Sequence, residues 1–382
     1  MDAVSLRELI RMVDQHCQPP GGAGQPIVLV DLEGLESMSP DDAGLLARRM
    51  PDDLRVYVGV RSTPLPAMLI GPGQSVLEWL AFTISPRPPD QSHLDQVPQG
   101  PSSGMSPVVR VNDPAAIARA ILAQGRETPE AVHFMDTALR LAEHATVRES
   151  LIMESYGYTN LLEGPEYARL SRELGTERTG PPAEIVRDFG DDRCDVTIDW
   201  TTGDSGMDWQ VRRDLAEVLL AARAHHGVAV HLRASGADFC AQPIPDDDPT
   251  TPRARDASLK RLRLHPGVAA WLVHRRLSVQ VQGRCTSAGL ELMSFASSAT
   301  AAPDTVFSIP HVRLGLIFGA GGSVSLSRRI GRWRTAYLAL TGEEIDARTA
   351  LRWGLIDAID GESPSDRRAA NGAERVGASS RS

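Results

Sequence analysis

An α/β fold with a largely parallel sheet is predicted for this 382-residue chain by three observations. Short runs rich in Val, Leu and Ile alternate with helical segments, the pattern of buried strands crossed over by helices. Turn residues bound each run. The length exceeds one typical core, so two modules, or one large domain with extensions, are expected.

Residues 26–32 (PIVLVDL) and 55–61 (RVYVGVR) read as buried strands. Between them a helix is expected over Pro40–Arg49, because Ser39 can cap it and Asp41 and Asp42 suit the positive end of its dipole. A second helix is expected over 74–83, and the Pro/Ser/Gln/Gly-rich stretch Pro86–Pro107 reads as a linker. A strand at 108–111 (VVRV) and a helix opening at Asp113-Pro114 follow, proline being suited to a first helical position. Residues 129–174 are expected to be helical, with Val132, Met135, Leu139 and Ala142 on one face and Leu151, Tyr158, Leu161 and Leu162 on the next helix.

A break at 175–182 (GTERTGPP) opens the second part. It reads as strand (Cys194–Trp200), helix (Asp208–His225), strand (Val228–Arg233), a helix at 254–264, strand (Leu277–Gln282), helix (288–298), strand (Thr305–Ile309) and a helix after Gly322. The tail 361–382 has almost no large apolar residues and is expected to be disordered. The expected units are thus 1–107, 108–182, 183–360 and 361–382.

A net charge of −9 argues against a general nucleic-acid binder, which needs basic surface to neutralise phosphates. No run of 18 apolar residues suggests a membrane span, and the N-terminus lacks the apolar segment of a signal peptide, so a cytoplasmic location is expected. Cys17, Cys194, Cys240 and Cys285 are widely spaced and read as free thiols. Lys260 is the sole lysine, which makes Schiff-base catalysis a poor fit. No metal-ligand spacing is present, and the adjacent His225-His226 cannot form an i, i+4 pair. Ser323 and Ser325 lack the spacing of a nucleophile elbow, and a dinucleotide-type glycine pattern fails at Val324.

Chemistry concentrates between Gly283 and Gly354. Small residues open a helix carrying one acid, Glu291; a strand then ends at Pro310-His311, and a Gly319-Ala320-Gly321-Gly322 turn leads into an Arg-rich helix. The stretch closes with LTGEEIDARTALRWGLID. This succession, from DVTIDW at 195–200 through VAVHLRASGADFC at 228–240, resembles the core of the crotonase (enoyl-CoA hydratase/isomerase) superfamily. Residues 129–170, including VRESLIMESYGYTNLLEGPEYARL, resemble the helices that in this family follow the core, yet here they precede it. The resemblance therefore implies a crotonase-like ββα spiral with an additional helical segment, fused or permuted, as in a two-part actinobacterial-type branch. On that view 1–107 is a shortened crotonase-like segment and 183–360 the core.

The family holds a thioester carbonyl while enolate-like charge develops on its oxygen, using two backbone N–H donors whose fixed dipoles need little reorganisation. Glutamates move the protons. The resemblance implies that Ala288 supplies one donor and that Glu291 is the first glutamate, with Cys240, Ala241, Gln242, Ile244 and Gly289 lining the substrate. It implies contact between the coenzyme A phosphates and Arg253, Arg255 and Lys260 in RARDASLKRLR. Three positions depart from the family. Pro243 stands where the other donor belongs and has no N–H, unless Gln242 or Ile244 substitutes. His311 replaces the second glutamate, and Phe318 replaces a proline before the glycine turn.

The implied activity is that of an acyl-CoA-acting hydratase or isomerase with Glu291 and His311 as its acid/base pair. No metal or redox cofactor is implied, coenzyme A entering with the substrate. Self-association as a trimer or hexamer is expected, with a hetero-partner as the alternative. Plain readings stand beside these: Glu291 as a dipole-stabilised helix acid, His311 as a structural histidine, the basic stretch as a solvated helix face. The alternative for the whole chain is a catalytically decayed homologue serving as a structural or regulatory subunit.

Overall fold

The computed structural model describes residues 3–14, 25–50, 55–65, 71–88, 106–174, 183–200, 205–225, 227–242 and 265–362. In the first part, β1 (Val4–Ser5), β2 (Ile27–Asp31), β3 (Val56–Val60), β4 (Phe82–Pro86) and β5 (Val108–Val111) lie side by side in chain order, all parallel. The crossovers carry α1 (Leu6–Asp14), α2 (Pro40–Arg49) and α3 (Gly73–Trp79). Ser39 caps α2 as expected, its hydroxyl accepting from the Asp42 N–H at 3.1 Å.

The helix expected over 74–83 stops at Trp79, and Phe82–Pro86 is a strand. A short apolar run does not distinguish the two, and here complete burial of Phe82, Thr83 and Ile84 in mid-sheet decides it. Because β5 pairs with β4, the first sheet continues past residue 107.

Four helices follow: α4 (Pro114–Glu127), α5 (Pro129–His144), α6 (Val147–Leu162) and α7 (Pro165–Leu174). Thr146 and Glu149 form a capping box at the start of α6. Val132, Met135, Leu139, Leu151, Tyr158 and Leu161 are all buried, so these helices present their apolar faces inward.

The second part opens with an antiparallel pair, β6 (Glu184–Phe189) and β7 (Arg193–Asp199), of which β6 was not anticipated. Then come α8 (Trp209–Ala224), β8 (Ala229–Ala234), α9 (Pro266–Val273), β9 (Leu277–Val281), β10 (Arg284–Thr286) and α10 (Ser287–Met293). The chain goes on through β11 (Ser298–Ala301), β12 (Val306–Ser308), α11 (Gly322–Thr341), β13 (Ile345–Asp346), α12 (Ala347–Trp353) and β14 (Ala358–Ile359). The larger sheet runs β14-β11-β9-β8-β7-β6 and the smaller one β10-β12-β13. Successive turns thus place one strand in each sheet and then a helix: β9, β10, α10, then β11, β12, α11. This is the ββα spiral, a mixed α/β fold of crotonase type.

The helix expected over 288–298 ends at Met293, since Ser298–Ala301 pairs with β9. The helix expected at 254–264 and the break at 175–182 lie outside the described residues, as do most of the linker and of the tail. Helix α11 bends at Gly331, whose φ of 80° is non-helical. Just beyond the bend, buried Arg332 reaches the first part: it donates to the Leu80 carbonyl at 2.9 Å and pairs with Glu143 at 2.8 Å. One apolar core runs through both parts, from Val58 and Phe82 to Phe307 and Leu338.

Candidate active site

Helix α11 begins at Gly322, and the first N–H groups of a helix have no partner within it. Two buried carboxylates supply partners. Glu291 on α10 accepts from Ala320 at 2.7 Å, Gly322 at 2.8 Å and Gly319 at 3.4 Å. Glu154 on α6 accepts from the N–H groups of Gly321 at 2.7 Å and Ser323 at 2.9 Å, and from the Ser323 hydroxyl. The glycines allow this approach. Gly321 has φ of 104°, and a Cβ on Gly322 would lie 2.8 Å from Glu291 Cγ. Buried Arg212 on α8 donates to the carbonyls of Met207 at 2.7 Å and Gly319 at 3.2 Å, which places its charge beside both acids.

Burial, followed by the like charge of Glu154, pushes Glu291 up to about 8, against the pull of the Ala320 and Gly322 N–H groups and Arg212. Burial also pushes Glu154 upward. His311 opens a 3-10 turn, His311–Leu314, and its Nε2 stands 3.5 Å from Glu291 Oε1. Burial, then the Arg212 charge, drives His311 down to about 3. Near neutral pH the contact therefore joins a protonated carboxyl to a neutral imidazole and is not an ion pair. His311 Nδ1 is buried without a hydrogen-bond partner among the described residues.

The side of the site at the start of α10, where the resemblance implies the carbonyl would bind, is built differently. The bridge Cys240↔Cys285 docks the Phe239–Gln242 segment beside β10, and the Thr286 N–H donates to the Cys240 carbonyl at 2.8 Å. A Cβ on Gly289 would lie 2.4 Å from Cys240 Cβ, and the Cys240 thiol is held by the N–H groups of Gly289 and Met207. Burial pushes the thiols of Cys240 and Cys285 upward, away from the thiolate. The N–H groups of Ala241 and Gln242 both donate to the Ser205 carbonyl, at 2.7 and 3.2 Å. Ala288 sits in the first turn of α10, where an N–H has no helical partner. It follows Ser287, a non-glycine residue at φ of 51° whose buried hydroxyl has no hydrogen-bond partner among the described residues. Such backbone costs of order 1–3 kcal/mol and gathers at functional sites.

The structure thus brings Glu291 and His311 together and sets Ala288, Gly289 and Cys240 at the start of the same helix. Ala241 and Gln242 lie on the adjoining segment, while Ile244, Arg253, Arg255 and Lys260 lie outside the described residues.

Residues 275–381 match the family model for enoyl-CoA hydratase/isomerase. The match takes in Glu291, His311 and the Gly319–Gly322 turn. Solved structures resemble about half of the chain. An enoyl-CoA hydratase/isomerase family protein from Silicibacter pomeroyi is 25% identical over 49% of this chain and 81% of its own, with a TM-score of 0.41. The enoyl-CoA hydratase from Bacillus halodurans is 20% identical over 49% and 77%, at 0.40. That from Thermoplasma volcanium is 21% identical over 49% and 75%, at 0.39.

Two residues of this site, Glu154 and Arg212, are not among those the family resemblance implies, and each leaves a signal in the sequence. Glu154 falls in the stripe Leu151, Glu154, Tyr158, Leu161, whose spacing of three and four places an acid on a buried helix face. Arg212 likewise precedes Leu215, Ala216 and Leu219 on the buried face of α8. A charge in such a stripe requires a buried partner.

Proposed function

We propose that the chain acts on acyl-CoA thioesters as an enoyl-CoA hydratase/isomerase-type enzyme, with Glu291 and His311 moving the protons. The observation that carries this reading is their 3.5 Å contact in a buried setting. A carboxyl that keeps its proton up to about 8 can act as a general acid at neutral pH. In a hydration, Glu291 gives its proton to the α carbon. The neutral His311 ring takes one from the water adding at the β carbon, and the carbonyl oxygen rests on the Ala288 N–H. Strained Ser287 supports this placement, since it fixes the orientation of the Ala288 peptide.

A second reading, a crotonase-shaped structural or regulatory subunit, is favoured by one specific observation. The N–H groups of Ala241 and Gln242 are spent on Ser205, and Pro243 has none, so the described segment offers no second oxyanion donor. Calorimetric titration with a non-reactive acyl-CoA thioester analogue separates the two. Saturable binding that weakens when Arg253, Arg255 and Lys260 are neutralised supports the enzyme. No heat at millimolar ligand favours the subunit.

A further inference from the structure

Helix α6 belongs to the first part of the chain, yet its carboxylate stands in the site of the second. The five successive N–H groups from Gly319 to Ser323 are divided between two acids, 319, 320 and 322 going to Glu291 and 321 and 323 to Glu154. Neither acid can shift its grip without disturbing the turn that holds the other. The whole buried face of α6 follows this turn. A Cβ on Gly319 would lie 2.7 Å from the Tyr158 ring, and one on Gly321 would lie 3.1 Å from Leu151.

We propose that Glu154 is a positioning residue for Glu291, so that the helical segment of the first part completes the site of the second. This rests on the reading of Glu291 as the proton-transfer group. Among the described residues, the ionisable groups facing the pair are Arg212 from α8, His311 from its 3-10 turn and the Cys240 thiol. One guanidinium against two carboxyls, with a neutral imidazole, leaves one proton to be shared between the acids. The Ser323 and Gly321 donors favour the charged form of Glu154 against the effect of burial, which directs the shared proton toward Glu291, where it serves as the general acid.

The test is an infrared pH titration of the buried carboxyl groups in the full-length protein, with the Glu291 band assigned by its loss in Glu291→Gln. In the unsubstituted protein this band is expected to titrate near pH 8. Glu154→Gln removes the neighbouring charge but keeps an amide oxygen for the turn. Ser323→Ala removes one donor to Glu154, which then takes the shared proton more readily. Both variants are expected to shift the Glu291 titration to lower pH. A titration that stays near pH 8 in the folded variants overturns the proposal, and Ser323→Ala decides alone if Glu154→Gln does not fold. No substrate is needed, so failure to bind a thioester analogue removes the proposed function without touching this result.

Discussion

The two sides of the site are held to different standards. On the acid side every N–H from Gly319 to Ser323 meets a buried carboxylate, and both acids are fully enclosed. On the carbonyl side the segment Phe239–Gln242 spends its last two N–H groups on Ser205 and runs into a proline. On the proposed function, proton handling is over-determined, whereas charge stabilisation would depend on Ala288. Different turns of the spiral carry the two sides, Phe239–Gln242 before β9 and Glu291 with the glycine turn after it, so each can be altered separately.

The acid side is where a substitution should tell most. Glu291→Gln should lower turnover by about 100-fold to 10,000-fold while leaving thioester-analogue affinity nearly unchanged, read by steady-state kinetics and calorimetry. Equal turnover would remove Glu291 from the reaction. The weak side is tested by Pro243→Ala, which returns an N–H and should raise turnover by roughly tenfold or more. No gain would place the missing donor elsewhere. Gly322→Ala pushes a methyl against Glu291 Cγ and Phe318 and should cost about 1–3 kcal/mol in urea denaturation.

The smallest effect is in pH. Folded Glu291 keeps its proton to about 8, whereas an ordinary carboxyl loses it near 4.5, so stability falls as pH rises between those values. His311 acts oppositely, being neutral to about 3 when folded against 6.5 when free, so stability falls as pH drops through that window. From 4.5 to 6.5 the two slopes oppose, and above 6.5 only the carboxyl slope remains. Denaturation should therefore show a decline on the order of 1–2 kcal/mol between pH 6.5 and 8, absent in Glu291→Gln.

Much of this was legible in the sequence wherever a local signal was strong. Ser39 and Asp113 announced their helices, and the order of motifs from Glu291 to the glycine turn announced the ββα core. The short strands at Phe82–Pro86 and Ser298–Ala301 were absorbed into neighbouring helices, because only their partner strands distinguish them. Glu154 was hidden for a different reason. Its partners lie some 167 and 169 positions away, so no window of sequence could pair them. Nor could spacing reveal that Ala241 and Gln242 turn toward Ser205, since that depends on how the loop closes.

The bend at Gly331 also ties the two parts together. It delivers Arg332 to the Leu80 carbonyl and to Glu143, while Glu154 grips the first turn of the same helix. Helix α11 is therefore fastened to the other part at its first turn and again at its bend, as a beam is by two brackets. The two parts are also joined in sequence by a covalent thread, residues 175–182. Two polypeptides separated at that thread and produced together should recognise each other and reassemble, whereas the second alone would present a bare buried guanidinium and a half-filled glycine turn to water.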